Sequence, residues 1–235
     1  MFTKSAAFYD ALYSFKNYEA EAAYLRVLIA RHQRSEGRRL LDVACGTGTH
    51  LVYLQRHFDV QGVDLDANLL AIARAKCPAV EFHQGDMLTF ELGRDFDVVT
   101  CLFSAIGYVH TPERLNRAVA NMTRHLRPGG VLIVEPWLLP DAFEPGGVHS
   151  MIVDKPDLTI ARMNIHRVEN RRSVFDMHYM VGTPDKIETF TERHELFLFT
   201  RDEYLASFAA AGLNATWDDK GLMGRGLVIG EKPNN

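Results

Sequence analysis

Residues 40–50 read LLDVACGTGTH: an apolar run stops at two glycines and restarts as a helix-forming segment. This reads as strand, glycine-rich turn and helix, and where such strand–helix alternation repeats it predicts a parallel sheet with helices on both faces. Gly46 and Gly48 let the backbone turn tightly and approach a ligand at the helix N-terminus. The same alternation continues to Glu135. RLLDVA, VQGVDL, VEFHQ, DVVTCLF and VLIVEPW have the continuous apolar character of strands buried on both faces. HLVYLQRHF, ANLLAIARAK and PERLNRAVANMTRHL place apolar residues at helical spacing. Pro112 opens the last of these helices, and Pro128-Gly129-Gly130 is expected to stop it. Two helices precede the sheet, over Ser5–Ser14 and Tyr18–Arg34.

After Trp137 the pattern changes. Val148–Asp154, Leu158–Val168, Ser173–Val181 and Ile187–Phe199 read as strands separated by short turns, which predicts an antiparallel insertion. A helix over Arg201–Ala211, ended by Gly212, and strands near Ala215–Asp218 and Gly226–Gly230 complete the chain. The predicted fold is α/β: a doubly wound, mostly parallel, Rossmann-like seven-stranded sheet with an antiparallel β insertion after strand five. One domain over 1–235 would comprise N-terminal helices (1–37), a core (38–137), the insertion (138–200) and a C-terminal helix and strands (201–235).

With 47% apolar residues the chain can bury a sizeable core. Its 26 Lys and Arg against 30 Asp and Glu give a net charge of −4, which argues against a nucleic-acid binder working by phosphate neutralisation. Three scattered cysteines, Cys45, Cys77 and Cys101, leave one unpaired and point to the reducing cytoplasm. No apolar run reaches the ~18–20 residues of a membrane span, and Met1–Lys16 lacks a signal-peptide core. No metal site is expected, because C-x-x-C and H-E-x-x-H spacings are missing.

The glycine turn is joined by two acids. Asp64, ending the second strand, can accept hydrogen bonds from both hydroxyls of a ribose. Asp86 and Met87, after the third strand, can bind and cover an adenine. A dinucleotide fingerprint needs a third glycine, where this chain has Leu51; a P-loop needs Gly-Lys-Ser/Thr. Asp42, beneath the loop, suits a cationic ammonium better than a pyrophosphate.

This set resembles the class I S-adenosylmethionine-dependent methyltransferases. HQGDM (83–87), FSAIGY (103–108), VEPW (134–137), GRGL (224–227) and Tyr9-Asp10…Lys16-Asn17-Tyr18-Glu19 resemble, more closely, the N-methyltransferases of nucleotide-linked aminosugars. The resemblance implies S-adenosyl-L-methionine as cofactor, with Asp64 on the ribose and Asp86 and Met87 at the adenine. Ala44 and Gly46 would line the methionine portion, Leu102 the pocket behind strand four, and Tyr18 would meet the cofactor carboxylate. Asp42, Gly48 and Leu65 complete the expected cofactor set. The resemblance also implies a homodimer. The Tyr9–Tyr18 connection is shorter than the family's, which leaves the sugar open.

On the acceptor side, Tyr108 and His110 follow strand four at the sheet edge where ligands bind in such folds. Either can orient an amine or act as a base; the family pattern favours Tyr108. Glu135 can hydrogen-bond a protonated amine or a sugar hydroxyl, and Trp137 can wall the cleft. Arg225, framed by Gly224 and Gly226, has the fork geometry for a diphosphate. Arg162, His166 and His178 alternate along the insertion and are expected to face the same cleft. An alkyl amine loses its proton readily to water, so a dedicated base is optional. The leading expectation is methyl transfer to the amino group of a nucleotide-diphosphate aminosugar. O- or C-methylation of another small acceptor, and a non-catalytic S-adenosylmethionine-binding module, stay open. Nucleic acid is disfavoured as acceptor, because strand four runs into Phe103-Ser104-Ala105-Ile106 rather than the Asp/Asn-Pro-Pro-aromatic signature of base-flipping enzymes.

Overall fold

A computed structural model describes residues 4–234. The core strands are β1 (Arg39–Val43), β2 (Asp59–Asp64), β3 (Glu81–Gln84), β4 (Phe96–Cys101) and β5 (Leu126–Val134). Five more, β6 (Val148–Lys155), β7 (Leu158–Ile165), β8 (Arg167–Glu169), β9 (Arg172–Gly182) and β10 (Ile187–Phe197), follow before β11 (Asn214–Asp218) and β12 (Leu227–Glu231). The main sheet has seven strands in the order β11-β12-β5-β4-β1-β2-β3. Strands β1 to β5 pair in parallel, and β12 enters antiparallel between β5 and β11. The second sheet, in the order β10-β9-β7-β6 with β8 beside β9, is antiparallel throughout.

Helices cover both faces of the main sheet. α2 (Tyr18–His32), α3 (Thr49–Leu54) and α4 (Ala67–Lys76) pack Leu25, Leu51, Leu54 and Leu70 against Leu40, Val98, Val131 and Ile133. α5 (Pro112–Arg124) and α6 (Arg201–Ala210) pack Leu115, Val119, Met122 and Phe208 against Leu41, Val99, Leu132 and Val134. Adjacent strand residues thus serve opposite layers, as the two-residue period requires. The helix starts are chemically marked. Asp66 accepts from the N–H groups of Asn68 and Leu69, Thr111 caps α5 ahead of Pro112, and Thr200 and Glu203 form a capping box on α6. Such caps contribute ~1 kcal/mol each.

Three local expectations change. The Ser5–Ser14 helix is a 3-10 turn over Ser5–Phe8 followed by a single turn, α1 (Tyr9–Leu12). The strand expected over Leu158–Val168 breaks at His166 into β7 and β8. Pro128-Gly129-Gly130 lies inside β5, after α5 has ended at Arg124. There Gly129, at φ +75°, accepts from Arg34 and Ser35 and donates to Lys232, so tertiary pairing claims the segment. Among the described residues no helix is long and apolar enough to cross a membrane.

The inner face of the second sheet buries Ile160, Phe175, Met177, Tyr179, Val181 and Leu196 against Leu12 and Tyr13. Residues 4–17 therefore lie between this sheet and the C-terminal edge of the main one.

Candidate active site

Three residues of the β1–α3 turn adopt left-handed backbone: Ala44 (φ +58°), Gly46 (+56°) and Gly48 (+71°). A Cβ on Gly46 would meet no atom within 4 Å, so the glycine opens onto free space beside the loop. The Gly46 N–H donates to Asp64 Oδ2 at 2.7 Å, and the Asp66 N–H donates to Asp64 Oδ1 at 2.8 Å. Beside this turn runs a cleft lined by Tyr9, Tyr18, Asp42, Ala44, Gly46, His50 and Leu102, with Cys45, Thr47, Thr49 and Phe103. Gly48 starts α3 at its rim.

Asp42 is buried beneath the loop and accepts from Thr100 Oγ1 at 2.8 Å. Burial pushes its carboxyl up to about 6, against a smaller opposing pull from His50. Farther along the sheet edge, the Leu88 N–H donates to Asp86 Oδ1 at 2.9 Å. Met87 packs on the core, and Leu65 is 45% exposed.

A buried network lies behind Tyr18 that sequence reasoning missed. Glu21 bridges Lys16 Nζ at 2.9 Å and His50 Nε2 at 2.8 Å. Although burial works to raise it, these hydrogen bonds hold the Glu21 carboxyl below the usual range. Lys16 sits 4.1 Å from the Phe103 ring centroid and 5.2 Å from that of Tyr18, which meets His50 edge-on. A second missed connection ties α1 to the glycine turn. Asp10 Oδ1 accepts from Thr47 Oγ1 at 2.7 Å, while Lys76 Nζ reaches Asp10 Oδ2 at 2.7 Å and Thr49 Oγ1 at the same distance.

The end of β4 is also strained, with Phe103 and Ser104 at φ +51° and +64°. Non-glycine residues hold such backbone only where their surroundings fix it. Here the Phe103 N–H donates to Glu135 Oε2 at 2.7 Å, and the Ser104 hydroxyl donates to Pro136 O at 2.9 Å. Glu135 is fully buried, and its other oxygen, Oε1, has no hydrogen-bond partner. Burial raises its pKa, with Lys16 and Arg225 pulling the other way. Arg225 donates to Ser104 Oγ at 2.8 Å and lies 4.6 Å from the Trp137 ring centroid. Trp137 Nε1 donates to Ser173 Oγ at 2.8 Å, joining the end of β5 to the insertion.

Tyr108, in a 3-10 turn after β4, pairs its hydroxyl with His194 Nδ1 at 2.8 Å. Burial and the neighbouring phenols of Tyr13 and Tyr179 raise its pKa. His110 stands apart, near Arg172, Glu195 and Arg114, and its pKa is lowered chiefly by burial. Of the three insertion residues expected to share a cleft, Arg162 faces inward, 5.8 Å from the Tyr13 ring. His166 joins an aromatic stack with His149, Phe143 and Phe175. His178 does not join them. It is exposed and pairs across the strands with Met163 and Thr191 on the outer face, because Tyr179, its neighbour in β9, takes the inner one. Among the described residues no group of three or more His, Cys, Asp and Glu is placed to hold a metal ion.

Comparison with known proteins gives this geometry a family. Residues 40–130 match the model of a methyltransferase domain. The chain is 42% identical to the dTDP-3-amino-3,4,6-trideoxy-alpha-D-glucopyranose N,N-dimethyltransferase of Streptomyces venezuelae, over 92% of this chain and 91% of the relative. It is also 42% identical to the dTDP-3-amino-3,6-dideoxy-alpha-D-glucopyranose N,N-dimethyltransferase of Streptomyces fradiae, over 92% and 85%. Among solved structures it superimposes on Streptomyces venezuelae DesVI with a TM-score of 0.92 at 40% identity, covering 98% and 99% of the two chains. SAM-bound CalS10, an amino pentose methyltransferase from Micromonospora echinaspora, matches with a TM-score of 0.86 at 39% identity, covering 99% and 98%. The chain therefore belongs to the family of dTDP-aminosugar N-methyltransferases, within the class I S-adenosylmethionine-dependent methyltransferases.

Proposed function

We propose that this enzyme methylates the amino group of a thymidine-diphosphate-linked aminosugar, and that the acceptor lies between the β4 and β5 ends and the insertion sheet. Two observations carry this reading together: Glu135 Oε1 is buried without a hydrogen-bond partner, and the Arg225 guanidinium lies over Trp137. One side serves an amine and the other an anion. Arg162, 5.8 Å from the Tyr13 ring centroid on the inner face of the insertion sheet, adds a second guanidinium for a diphosphate.

The cleft fits S-adenosylmethionine: Gly46 opens onto it, an acid lies beneath the loop, and another stands at the end of β2. Asp64 and Leu65 would meet the ribose, Asp86 and Met87 the adenine, and Ala44, Gly46, Gly48 and Leu102 the methionine portion. Asp42 would face its ammonium, and Tyr18 its carboxylate. When bound, the cofactor supplies an electrophilic methyl on a sulfonium centre.

The chain's own part is to present a neutral amine. An alkyl amine has a pKa near ~10.4 and arrives mostly protonated, so it must lose one proton to water before it can act as nucleophile. Glu135 Oε1 and Tyr108 Oη would accept the two N–H groups of the neutral primary amine, and one of them the single N–H left after a first methyl transfer. Excluding water around these groups strengthens both contacts. His110 stands outside this arrangement.

Incubating the purified protein with S-adenosylmethionine and a thymidine-diphosphate 3-amino-hexose is expected to add one or two methyl groups by mass. Retained cofactor binding with no mass gain would sink the proposal.

We further propose a cytoplasmic homodimer. Cys45, Cys77 and Cys101 are all free, as a reducing compartment favours. The outer face of the insertion sheet carries Val148, Ile152, Met163, Ile165 and Met180, each 47–71% exposed. A contiguous apolar sheet face of this kind is rare on monomers, and a second copy would cover it.

A further inference from the structure

We propose that His194 is a positioning residue for methyl transfer: it takes the hydroxyl proton of Tyr108 in a hydrogen bond, so that the phenol oxygen offers its lone pairs to the acceptor amine. This rests on the reading that Tyr108 borders the acceptor site.

The two side chains lie 86 residues apart in sequence, and their contact is 2.8 Å between Tyr108 Oη and His194 Nδ1. A phenol hydroxyl can donate or accept, and only the first role leaves it able to receive an amine N–H. The surroundings of His194 decide between them. Its Nε2 lies 4.0 Å from the Glu192 carboxylate, beyond hydrogen-bond reach, and the negative charge there favours the proton on Nε2 and the lone pair on Nδ1. Glu192 is itself fixed by the N–H groups of Lys4 and Ser5 and by the Ser5 hydroxyl. The ring lies nearly parallel to Phe175, with centroids 5.8 Å apart and planes at 17°, and is buried. Burial holds the imidazole neutral, with its pKa pulled down to about 4, so the ring carries a single proton and one of its nitrogens is an acceptor at neutral pH. The same ring joins the stretch before α1 to the acceptor side through a single carboxylate.

Positional isosteres test this. An asparagine amide overlays Nδ1 of histidine, and a glutamine amide overlays Nε2. His194→Asn is expected to keep kcat within about threefold of wild type, while His194→Gln and His194→Ala lose roughly tenfold, the worth of one hydrogen bond in the transition state. KM for the cofactor should stay unchanged in all three. If glutamine restores kcat and asparagine does not, or if all three variants have the same kcat, the proposal is overturned. Tyr108→Phe is measured beside them. Unchanged kcat in Tyr108→Phe refutes the placement of Tyr108 at the acceptor, a failure separate from that of His194.

Discussion

Asp64 holds Gly46: the carboxylate at the end of β2 accepts the N–H of the glycine turn at 2.7 Å, and its second oxygen accepts that of Asp66 at 2.8 Å. One side chain thus sets the shape of the loop beside the cleft and the approach to α4. Replacing it acts on the loop before it acts on any ligand.

Asp64→Ala is accordingly expected to weaken S-adenosylmethionine binding at least ~10-fold, since each hydrogen bond to a charged group is worth ~1.5–3 kcal/mol. Asp64→Asn keeps one acceptor oxygen and should lose less. Titration calorimetry ranks the two; equal losses would show that charge alone matters at this position.

Asp42 predicts a pH dependence of stability. Its folded-state pKa, about 6, lies above the ordinary carboxyl value, so the folded protein holds this proton more tightly than the unfolded chain does. Stability contributed by the group is present at low pH and is lost as pH rises through roughly 4 to 6. Without cofactor, Asp42→Asn should therefore be more stable than wild type above pH 6, by roughly 2–3 kcal/mol. The difference should vanish near pH 4. Urea unfolding across this range measures it, and the same variant should bind the cationic cofactor more weakly.

Arg225 stacks on Trp137 and is hydrogen-bonded to Ser104, so charge and shape are both specified. Arg225→Lys keeps the charge and loses the fork. We expect KM for the nucleotide sugar to rise ~10-fold or more, with kcat at saturation changed much less. A loss confined to kcat would place Arg225 at the transferring methyl instead.

The clasp of Asp10 on Thr47 and Lys76 closes α1 over the glycine turn. Asp10 and Lys76 are partly exposed, so their pair is worth at most ~1 kcal/mol. Asp10→Ala should speed cofactor release by up to about fivefold, and added salt should speed release from wild type but not from the variant. Stopped-flow displacement reads both effects.

Charges introduced on the outer sheet face, Ile152→Asp with Met180→Asp, should halve the mass seen by light scattering and leave cofactor affinity intact. An unchanged mass would place the interface elsewhere.

The glycine turn and the strand-end acids were legible in the sequence because their signals are local. Each glycine, strand-end acid and helix cap falls at a boundary between a strand and the helix that follows it, which the apolar pattern itself marks. The connections that were missed are assembled from residues far apart in the chain. Lys16 with Glu21 and His50, Asp10 with Thr47, and Tyr108 with His194 meet only through tertiary packing, and none has a motif of its own. His178 shows a different limit. Alternation along β9 fixes which residues share a face, but not which face turns inward; the aromatic residues Phe175 and Tyr179 settle that by packing on Leu12 and Tyr13. Pro128-Gly129-Gly130 has the composition of a stop, yet the backbone groups of Gly129 find partners in Arg34, Ser35 and Lys232 and continue as strand.

The bond between Ser5 and Glu192 spans 187 residues. Synthesis runs from the first of these to the second, so the segment that covers the cleft leaves the ribosome long before its anchor on β10 exists. Strands β1 to β5 have emerged by then, while α6, β11 and β12, which complete the main sheet and cover one face of it, follow β10. A nascent chain halted after β5 would have the glycine turn and both strand-end acids, but nothing to dock residues 4–8 against the second sheet. Docking of residues 4–8 on β10 thus closes a long loop, which is slow relative to the local contacts beneath it.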